Sequence, residues 1–296
     1  MRIDLHTHSN RSDGTESPTE LVRRAHAEAI DVLALTDHDT TAGWQEAVEA
    51  AEALGVRLLR GIEVSCRFVG YGVHLLAYLP DPTYPPLDAE LRRVLDGRSS
   101  RLPAILARLR ANGIDIDVDD VRAVAGRTAA TGRPHIADAL VALGVVADRN
   151  EAFETYLGPQ GPGYVRRYAA DLETMIATVR EAGGVSVLAH PWASRHNHEA
   201  LDEAGVARLQ QAGLAGVEVD HEDHDPGARA GLRALARRLD LVVTGSSDHH
   251  GGGKVDHDLG CNTTTPDQLE RLLDLAEASA ASSGRRTPRV IGATPR

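Results

Sequence analysis

The chain has 296 residues, a formal net charge of −11 and a hydrophobic fraction of 42%. This length and apolar content can form the core of one large domain, or of a domain with an insertion. The acidic charge argues against a large electrostatic contact with duplex nucleic acid, because such a contact depends on basic side chains that neutralise phosphates.

The sequence does not indicate membrane or secretory segments. No apolar run approaches the roughly 18 residues that a membrane helix needs. Arg2, Asp4 and His6 interrupt the region where the apolar part of a secretory signal would lie. Cys66 and Cys261 are far apart and form no C-x-x-C pattern, so neither a disulfide framework nor a thiolate zinc site is indicated. We therefore expect a cytoplasmic protein.

Short apolar runs alternate with helical patterns in the first and last parts of the chain. The predicted strands are Arg2–Leu5, Val32–Leu35, Arg57–Glu63, Val73–Tyr78, Val185–Ala189, Gly216–Val219 and Leu241–Thr244. Ser17, Pro18 and Glu20 supply an N-cap, a first-turn proline and a capping box for a helix after the first strand. A second helix is predicted from about Thr41 to Leu54. Strands that alternate with helices indicate an α/β fold with a mainly parallel sheet or barrel.

The alternation stops between about Pro80 and Ala170, after the proline-rich segment LPDPTYPPL. Helical patterns without a convincing strand follow at Ala89–Asn112, Val118–Val124, Pro134–Leu143 and Glu151–Leu157. We interpret residues 81–169 as a helical insertion that caps the substrate site, between two barrel parts, 1–80 and 170–285. Residues 286–296 form a basic, solvated tail with at most one last strand around Val290.

Imidazoles and carboxylates lie where the predicted strands end, and one further histidine, His74, lies within the fourth strand. They are His6 and His8, Asp37 and His38, Glu63, His74, His190, and Asp248, His249 and His250. In an α/β barrel the carboxyl ends of the strands form one rim, so these side chains would converge there. Such a set suits zinc, manganese or iron(II). Its size suits two or three ions that share a bridging carboxylate, which can activate water and polarise a phosphoryl oxygen.

Each of these residues also has a purely structural interpretation. A strand-end histidine such as His74 is often a core or surface residue, and Asp13 before a glycine is typical of a turn. Asp37 and Asp39 could cap the next helix. Glu63 is harder to explain, because a carboxylate buried in an apolar strand is costly without a partner. Taken together, the pattern favours the metal cluster.

Five segments in this order, DLHTHSNRSDG, ALTDHDT, GIEVS, VLAHP and GSSDHHG, resemble the motifs of the polymerase and histidinol phosphatase (PHP) family. The resemblance covers about Met1–Tyr78 and Ala170–Gly251. It implies a distorted seven-stranded PHP barrel that carries a helical insertion domain. It also implies hydrolysis of phosphate esters with three divalent metal ions, which would be Mn²⁺, Zn²⁺ or Fe²⁺.

Carried over by motif, the resemblance implies a role for each side chain of the cluster. His6, His8 and Asp248 would bind the first metal, and Glu63 would bridge the first metal and the second. His74 and His190 would complete the second site. Asp13, His38 and His250 would hold the third metal. A metal-bound hydroxide held by Glu63, Asp248, His6 and His8 would attack phosphorus. Asp37 would orient a ligand through hydrogen bonds.

Within the family, the chain is similar to a branch of the nucleoside bisphosphate phosphatase type. Its insertion carries an Arg-x-His pattern, here Arg133 and His135 in GRPHIADAL. An arginine fork suits phosphate, but Arg133 could equally be an exposed residue before a helix. His224 matches a recurrent histidine of the branch, and with His221 it could instead lie on a solvated loop.

The chain departs from this branch at two places that affect substrate contacts. A KPAYV-like segment of the branch is replaced by GPGYVRR, so that a basic contact is either lost or supplied by Arg166 or Arg167. The branch usually has an arginine just after the His-Pro of the VLAHP motif. Here Arg195 comes four residues after Pro191, and we include it among the expected substrate-binding residues.

The resemblance implies a phosphoesterase that acts on small phosphorylated molecules. It favours removal of the 3′-phosphate from nucleoside 3′,5′-bisphosphates, with 5′→3′ trimming of short RNA as a related activity. A histidinol-phosphate phosphatase and a non-catalytic metal-binding module are the alternatives. The expected partner is a small phosphorylated substrate, a nucleotide, with no long nucleic acid and no membrane.

Overall fold

A strongly curved sheet forms the centre of the computed structural model, which describes residues 1–126, 128, 130–193 and 195–292, except the side chains of residues 195 and 196. The strands are β1 (Ile3–Thr7), β2 (Val32–Leu35), β3 (Arg57–Phe68), β4 (Tyr71–Tyr78), β5 (Ala170–Asp171), β6 (Val185–Ala189), β7 (Gly216–Asp220) and β8 (Val242–Gly245). Their order is β1-β2-β3-β4-β6-β7-β8, and β5 pairs with β3. A bridge between Thr7 and His249 brings the two ends of this path together, so the sheet is a nearly closed barrel.

Helices connect and cover these strands. They are α1 (Pro18–Ala27), α2 (Trp44–Leu54), α3 (Pro85–Ala111), α4 (Val118–Ala125), α5 (Arg133–Ala142), α6 (Arg149–Ala152), α7 (Leu172–Glu181), α8 (Arg195–Ala200), α9 (Glu203–Ala212), α10 (Pro226–Arg238) and α11 (Pro266–Ser283). The predicted capping box of α1 is present, because Ser17 and Glu20 each accept a hydrogen bond from the other's backbone N–H. Helix α2 begins at Trp44, later than predicted. It ends before Gly55, a residue whose backbone has the left-handed conformation.

The sheet is less parallel than the sequence predicts. β3 does not end at Glu63 but continues to Phe68, where a two-residue turn leads directly into antiparallel β4. Both turn residues, Val69 and Gly70, have positive φ, as a tight type I′ turn requires. The prediction missed this hairpin because valine at the first turn position is not a turn signal.

The helices between β4 and β5 have a hydrophobic core of their own. It includes Ile105, Leu109, Val121, Ile136 and Leu140, separate from the two clusters that line the sheet. The division of the chain into domains at residues 81 and 170 stays a prediction. In the described residues no helix has both the length and the apolar character needed to cross a membrane.

The last helix, α11, packs against the strands of the barrel. Its residues Leu269 and Leu272 belong to the inner apolar cluster that the strands form. Near the expected strand around Val290, the chain forms only an isolated bridge between Ile291 and Leu58.

Candidate metal centre

The predicted metal ligands meet at the rim formed by the carboxyl ends of the parallel strands. β1 contains His6 and leads into His8, β2 leads into His38, β6 into His190, and β8 into Asp248 and His250. β4 reaches the same rim because it runs antiparallel, so that His74 near its start lies opposite Ala189. The positive φ angles of His190 (29°) and Asp248 (53°) place strained turns at this rim, a common feature of functional sites.

Glu63 occupies the middle of the cluster and is 1% exposed. Its carboxylate oxygens lie between 2.8 and 3.3 Å from ring nitrogens of His6, His8, His38, His74 and His190. One carboxylate therefore contacts residues from several strands. This is the position expected of a carboxylate that bridges cations.

Two further carboxylates flank Glu63. Asp13 lies 3.3 Å from His250 Nε2 and 3.5 Å from His38 Nε2. Asp248 lies 3.2 Å from His8 Nε2 through its Oδ1. His8 also approaches Asp13, at 3.9 Å through Nδ1, so the groups around Asp13 and Asp248 share this histidine.

The geometry fits a set of bound cations. Buried ring nitrogens and carboxylate oxygens face each other at the centre without a hydrogen-bond partner among the described residues. These atoms are His6 Nε2, His8 Nε2, His38 Nδ1, His74 Nδ1, Asp13 Oδ1 and Asp248 Oδ1. Potential ligand atoms of His6, His8, Glu63 and Asp248 all lie within 4.8 Å of one another, as do those of His8, Asp13, His38 and His250. Leaving so many buried polar atoms unpaired is costly unless a cation binds them.

The electrostatics of the centre also favour cations. Burial opposes ionisation of Glu63, yet His38, His74 and His6 hold its pKa well below the usual range. Burial also opposes ionisation of Asp13 and Asp248, yet the neighbouring imidazoles and, for Asp248, Lys254 hold their pKa values well below the usual range. Burial lowers the pKa of His38 to about 3, whereas Asp248 and Glu63 raise the pKa of His8 to about 9 despite its burial. A cation bound between these carboxylates would take the place of the proton on His8, because a metal binds the neutral imidazole.

Asp37 supports the cluster from outside. It accepts hydrogen bonds from the backbone N–H and the hydroxyl of Ser9, at 2.8 and 2.6 Å. It also accepts one from the Ser12 hydroxyl at 2.6 Å, and Ser12 Oγ lies 3.4 Å from His8 Nδ1. Asp37 thus positions a group that contacts His8. The alternative that Asp37 and Asp39 cap α2 is wrong, because no side chain caps this helix.

Glu218 of β7, which the sequence analysis missed, holds two of the predicted ligands. Its Oε1 lies 3.2 Å from His6 Nδ1, and its Oε2 accepts a hydrogen bond from His190 N–H at 2.8 Å. Burial opposes ionisation, but His6 and His221 lower the pKa of Glu218 to about 2. A carboxylate beside Nδ1 of His6 fixes the orientation of the ring, so that the other nitrogen, Nε2, faces the centre.

Glu218 could have been found from the sequence. It lies between valines in GVEVD, the same pattern of a carboxylate in an apolar strand that singled out Glu63. Lys254 and Arg149 carry no such signal. Lys254 Nζ lies 2.7 Å from Asp248 Oδ2, and Arg149 donates to the backbone oxygen of Asp13 at 3.2 Å.

The predicted substrate-binding residues have different surroundings. Arg133 is half-buried over the rings of Phe153 and Tyr164, so it is not merely an exposed residue before α5. His135 is 4% exposed, and its Nδ1 accepts a hydrogen bond from Gly132 N–H. The side chain of Arg195 lies outside the described residues.

The substrate contact of His224 stays a prediction. Its Nδ1 lies 2.9 Å from the backbone oxygen of Val219, and its Nε2 accepts a hydrogen bond from Trp192 N–H at 3.3 Å. Both ring nitrogens are thus engaged by backbone groups. The alternative of a solvated loop is wrong, because His221 and His224 are buried.

A cavity of about 260 Å³ opens above the centre. The predicted ligands Asp13, His38, Glu63, His74, His190, Asp248 and His250 line it, and Pro134, Arg149, Phe153 and Lys254 contribute to its walls. Its volume lies near the lower end of the range for small-ligand sites. The cationic side chains on the wall suit an anionic ligand.

The chain matches the PHP domain family over residues 4–95. It is 37% identical to a 3′,5′-nucleoside bisphosphate phosphatase of Chromobacterium violaceum, over 89% of this chain and 92% of that protein. It is 35% identical to a 5′-3′ exoribonuclease of Haemophilus influenzae, over 84% of this chain and 90% of that protein. The crystal structure of a proposed metal-dependent phosphoesterase from Bifidobacterium adolescentis superimposes with a TM-score of 0.88 at 38% identity, covering 92% of this chain and 96% of that one.

These similarities extend over nearly the whole chain, including the helices between β4 and β5. The expected α/β barrel is confirmed by the solved structure. The alternative of a non-catalytic module is not supported, because the relatives of similar length are named as enzymes. The chain therefore belongs to the PHP family and is a metal-dependent phosphoesterase.

Proposed function

We propose that this enzyme removes the 3′-phosphate from nucleoside 3′,5′-bisphosphates and also trims short RNA from the 5′ end. The observation that carries the proposal is the convergence of the predicted ligands around Glu63, at the floor of a cavity with Arg149 and Lys254 on its wall. Two relatives, one named a nucleoside bisphosphate phosphatase and the other an exoribonuclease, support this substrate class.

The proposed ligand set holds three divalent ions, which would be Mn²⁺, Zn²⁺ or Fe²⁺. His6, His8, Glu63 and Asp248 would hold the first, Glu63, His74 and His190 the second, and Asp13, His38 and His250 the third. Such ions supply Lewis-acid activation of water and of the phosphoryl group when bound. The side chains contribute a fixed arrangement of imidazole nitrogens and anionic carboxylates, which suits these ions.

The cations on the cavity wall would bind and orient the phosphate. Lys254 reaches Asp248 at 2.7 Å and Asp223 at 3.2 Å, which fixes its ammonium group beside the proposed metal ligands. Arg149 is held by a two-point contact with Asp138. Because both groups are anchored, they can stabilise negative charge that develops during phosphoryl transfer without a large reorganisation.

Phosphate release from adenosine 3′,5′-bisphosphate by manganese-loaded protein tests the proposed substrate. We expect fast release from this compound and little from 5′-AMP, because 5′-AMP lacks the 3′-phosphate. Histidinol phosphate serves as the comparison for the alternative activity. Release from histidinol phosphate alone would contradict the proposal and assign the second activity.

Glu218→Gln tests the positioning of His6. The variant keeps the shape of the side chain but removes the charge that faces His6 Nδ1. We expect metal affinity or activity to fall by roughly 10- to 100-fold, as is usual for partners that orient metal ligands. Calorimetric titration with Mn²⁺ measures this separately from turnover. Unchanged affinity and unchanged rate would show that Glu218 only fills space in β7.

A further inference from the structure

The two carboxylate oxygens of Asp248 have different surroundings. Oδ1 lies 3.4 Å from His6 Nε2 and 3.2 Å from His8 Nε2, and it has no hydrogen-bond partner among the described residues. Oδ2 lies 2.7 Å from Lys254 Nζ and 3.4 Å from His221 Nε2. Oδ1 is thus the oxygen that is left open to a cation at the centre.

The hydrogen of His221 can be placed from the contact of its other ring nitrogen. Nδ1 accepts a hydrogen bond from the backbone N–H of Asp223 at 3.1 Å, so Nδ1 carries no hydrogen. In a neutral imidazole the hydrogen then lies on Nε2. His221 Nε2 therefore donates to Asp248 Oδ2. Because His221 is 0% exposed, it reaches the reaction only through such a neighbour.

Asp223 fixes both groups that face Asp248 Oδ2. Its backbone N–H holds the ring of His221, and its Oδ2 lies 3.2 Å from Lys254 Nζ. Arg229 of α10 anchors the same loop, because its guanidinium donates to the backbone oxygen of His221 at 2.7 Å. An ammonium group has three hydrogens, so Lys254 keeps one for the phosphate of the proposed function.

A fourth metal site is the alternative interpretation of this group. Potential ligand atoms of His221, Asp248 and His257 lie within 4.8 Å of one another. His257 is 5% exposed, and its Nε2 has no hydrogen-bond partner in the part of the chain that the structure describes. However, the hydrogen on His221 Nε2 faces the place where the ion would bind, and the Lys254 ammonium already supplies a positive charge beside Asp248. These contacts favour support of Asp248 over a further metal.

We propose that His221 is a positioning residue for the metal centre, which fixes Asp248 as a ligand through Oδ1 alone. The two donors on Oδ2, His221 Nε2–H and the Lys254 ammonium, keep the carboxylate from turning and present Oδ1 to the cation. A ligand that is already oriented needs no rearrangement when the ion binds. This assignment rests on the proposed function, because it takes Asp248 as a metal ligand.

His221→Asn and His221→Gln test this role as a matched pair. Both substitutions introduce an amide, but only glutamine can place its NH₂ group where Nε2 lies, whereas asparagine ends near the position of Nδ1. We expect the affinity for Mn²⁺, measured by calorimetric titration, to fall by roughly 10- to 100-fold in His221→Asn and to stay close to the wild type in His221→Gln. His26→Asn, the same substitution at an exposed histidine of α1, should leave the affinity unchanged.

The melting temperature of the metal-free proteins separates positioning from folding. Equal losses of Mn²⁺ affinity in both variants, together with lower melting temperatures without metal, would assign His221 a structural role and overturn the proposal. An unchanged affinity in His221→Asn would overturn it as well. Should His221→Asn fail to fold, His221→Met removes the donor at a similar side-chain length and is compared with His221→Gln in the same way.

A double-mutant cycle tests whether His221 acts through Asp248. Asp248→Asn should itself weaken the binding of Mn²⁺. Adding His221→Asn to this variant should cause little further loss, because the carboxylate that His221 orients is already gone. Losses that simply add would show that His221 acts independently of Asp248, which would overturn the proposal.

These binding measurements also separate failure of the positioning role from failure of the proposed function, because they need no substrate. If the wild type binds Mn²⁺ but releases no phosphate from adenosine 3′,5′-bisphosphate, the proposed activity fails, and a weaker affinity in His221→Asn alone still supports the positioning role. If the bisphosphate is hydrolysed and His221→Asn binds Mn²⁺ as tightly as the wild type, the proposed function stands and the positioning role is overturned.

Discussion

Glu63→Gln is expected to abolish metal-dependent hydrolysis. The substitution keeps the size of the side chain but removes the charge that faces His6, His8, His38, His74 and His190. Changing a residue that only orients a metal ligand usually lowers metal affinity or activity by about 10- to 100-fold. The loss of activity at the shared carboxylate should therefore exceed that range. The measurements are kcat with adenosine 3′,5′-bisphosphate and the metal content of the purified protein.

The metal content distinguishes a lost ligand from a lost fold. Glu63→Gln should contain fewer metal ions per chain while its circular dichroism spectrum stays that of the wild type. Glu277→Gln, an exposed substitution of the same kind on α11, is the control and should change neither quantity. Wild-type turnover with a full metal complement in Glu63→Gln would refute the bridging role. Asp248→Asn repeats the test at a second proposed ligand should Glu63→Gln fail to fold.

The sequence was sufficient to predict that these candidate ligands meet at one rim, because most of them end or follow a predicted strand. His6, His38, His190 and Asp248 lie at positions where parallel strands bring their carboxyl ends together, whatever the details of the connections. His74 was also among the predicted ligands, although it lies within its predicted strand and not at the end. Its place at the rim depends on the antiparallel direction of β4, which follows from the turn at Val69–Gly70.

Other parts of the site depend on contacts between distant segments and could not be predicted. Lys254 reaches Asp248 only because the loop after β8 folds back over the rim. Likewise, matching His224 to a family position could not reveal that backbone groups engage both of its ring nitrogens.

Asp39→Asn is expected to lower the free energy of unfolding by about 3 kcal/mol, the lower end of the range for breaking a buried ion pair from one side. Asp39 is fully buried, contacts Arg98 Nε at 2.6 Å and accepts a hydrogen bond from Ser65 N–H at 2.6 Å. Asparagine tolerates the positive φ of 57° at this position, so the backbone should not add to the loss. For a chain of this size the change corresponds to a melting temperature roughly 6–12 °C lower.

Asp119→Asn is the control for this prediction, because Asp119 and Arg122 form an exposed pair at 3.1 Å. Exposed pairs contribute little, so the melting temperature of this variant should stay close to that of the wild type. In the double variant Asp39→Asn/Arg98→Met, part of the stability should return, because the cation left unpaired by the first substitution is gone. Equal melting temperatures for Asp39→Asn and the wild type would mean that the pair contributes nothing to stability.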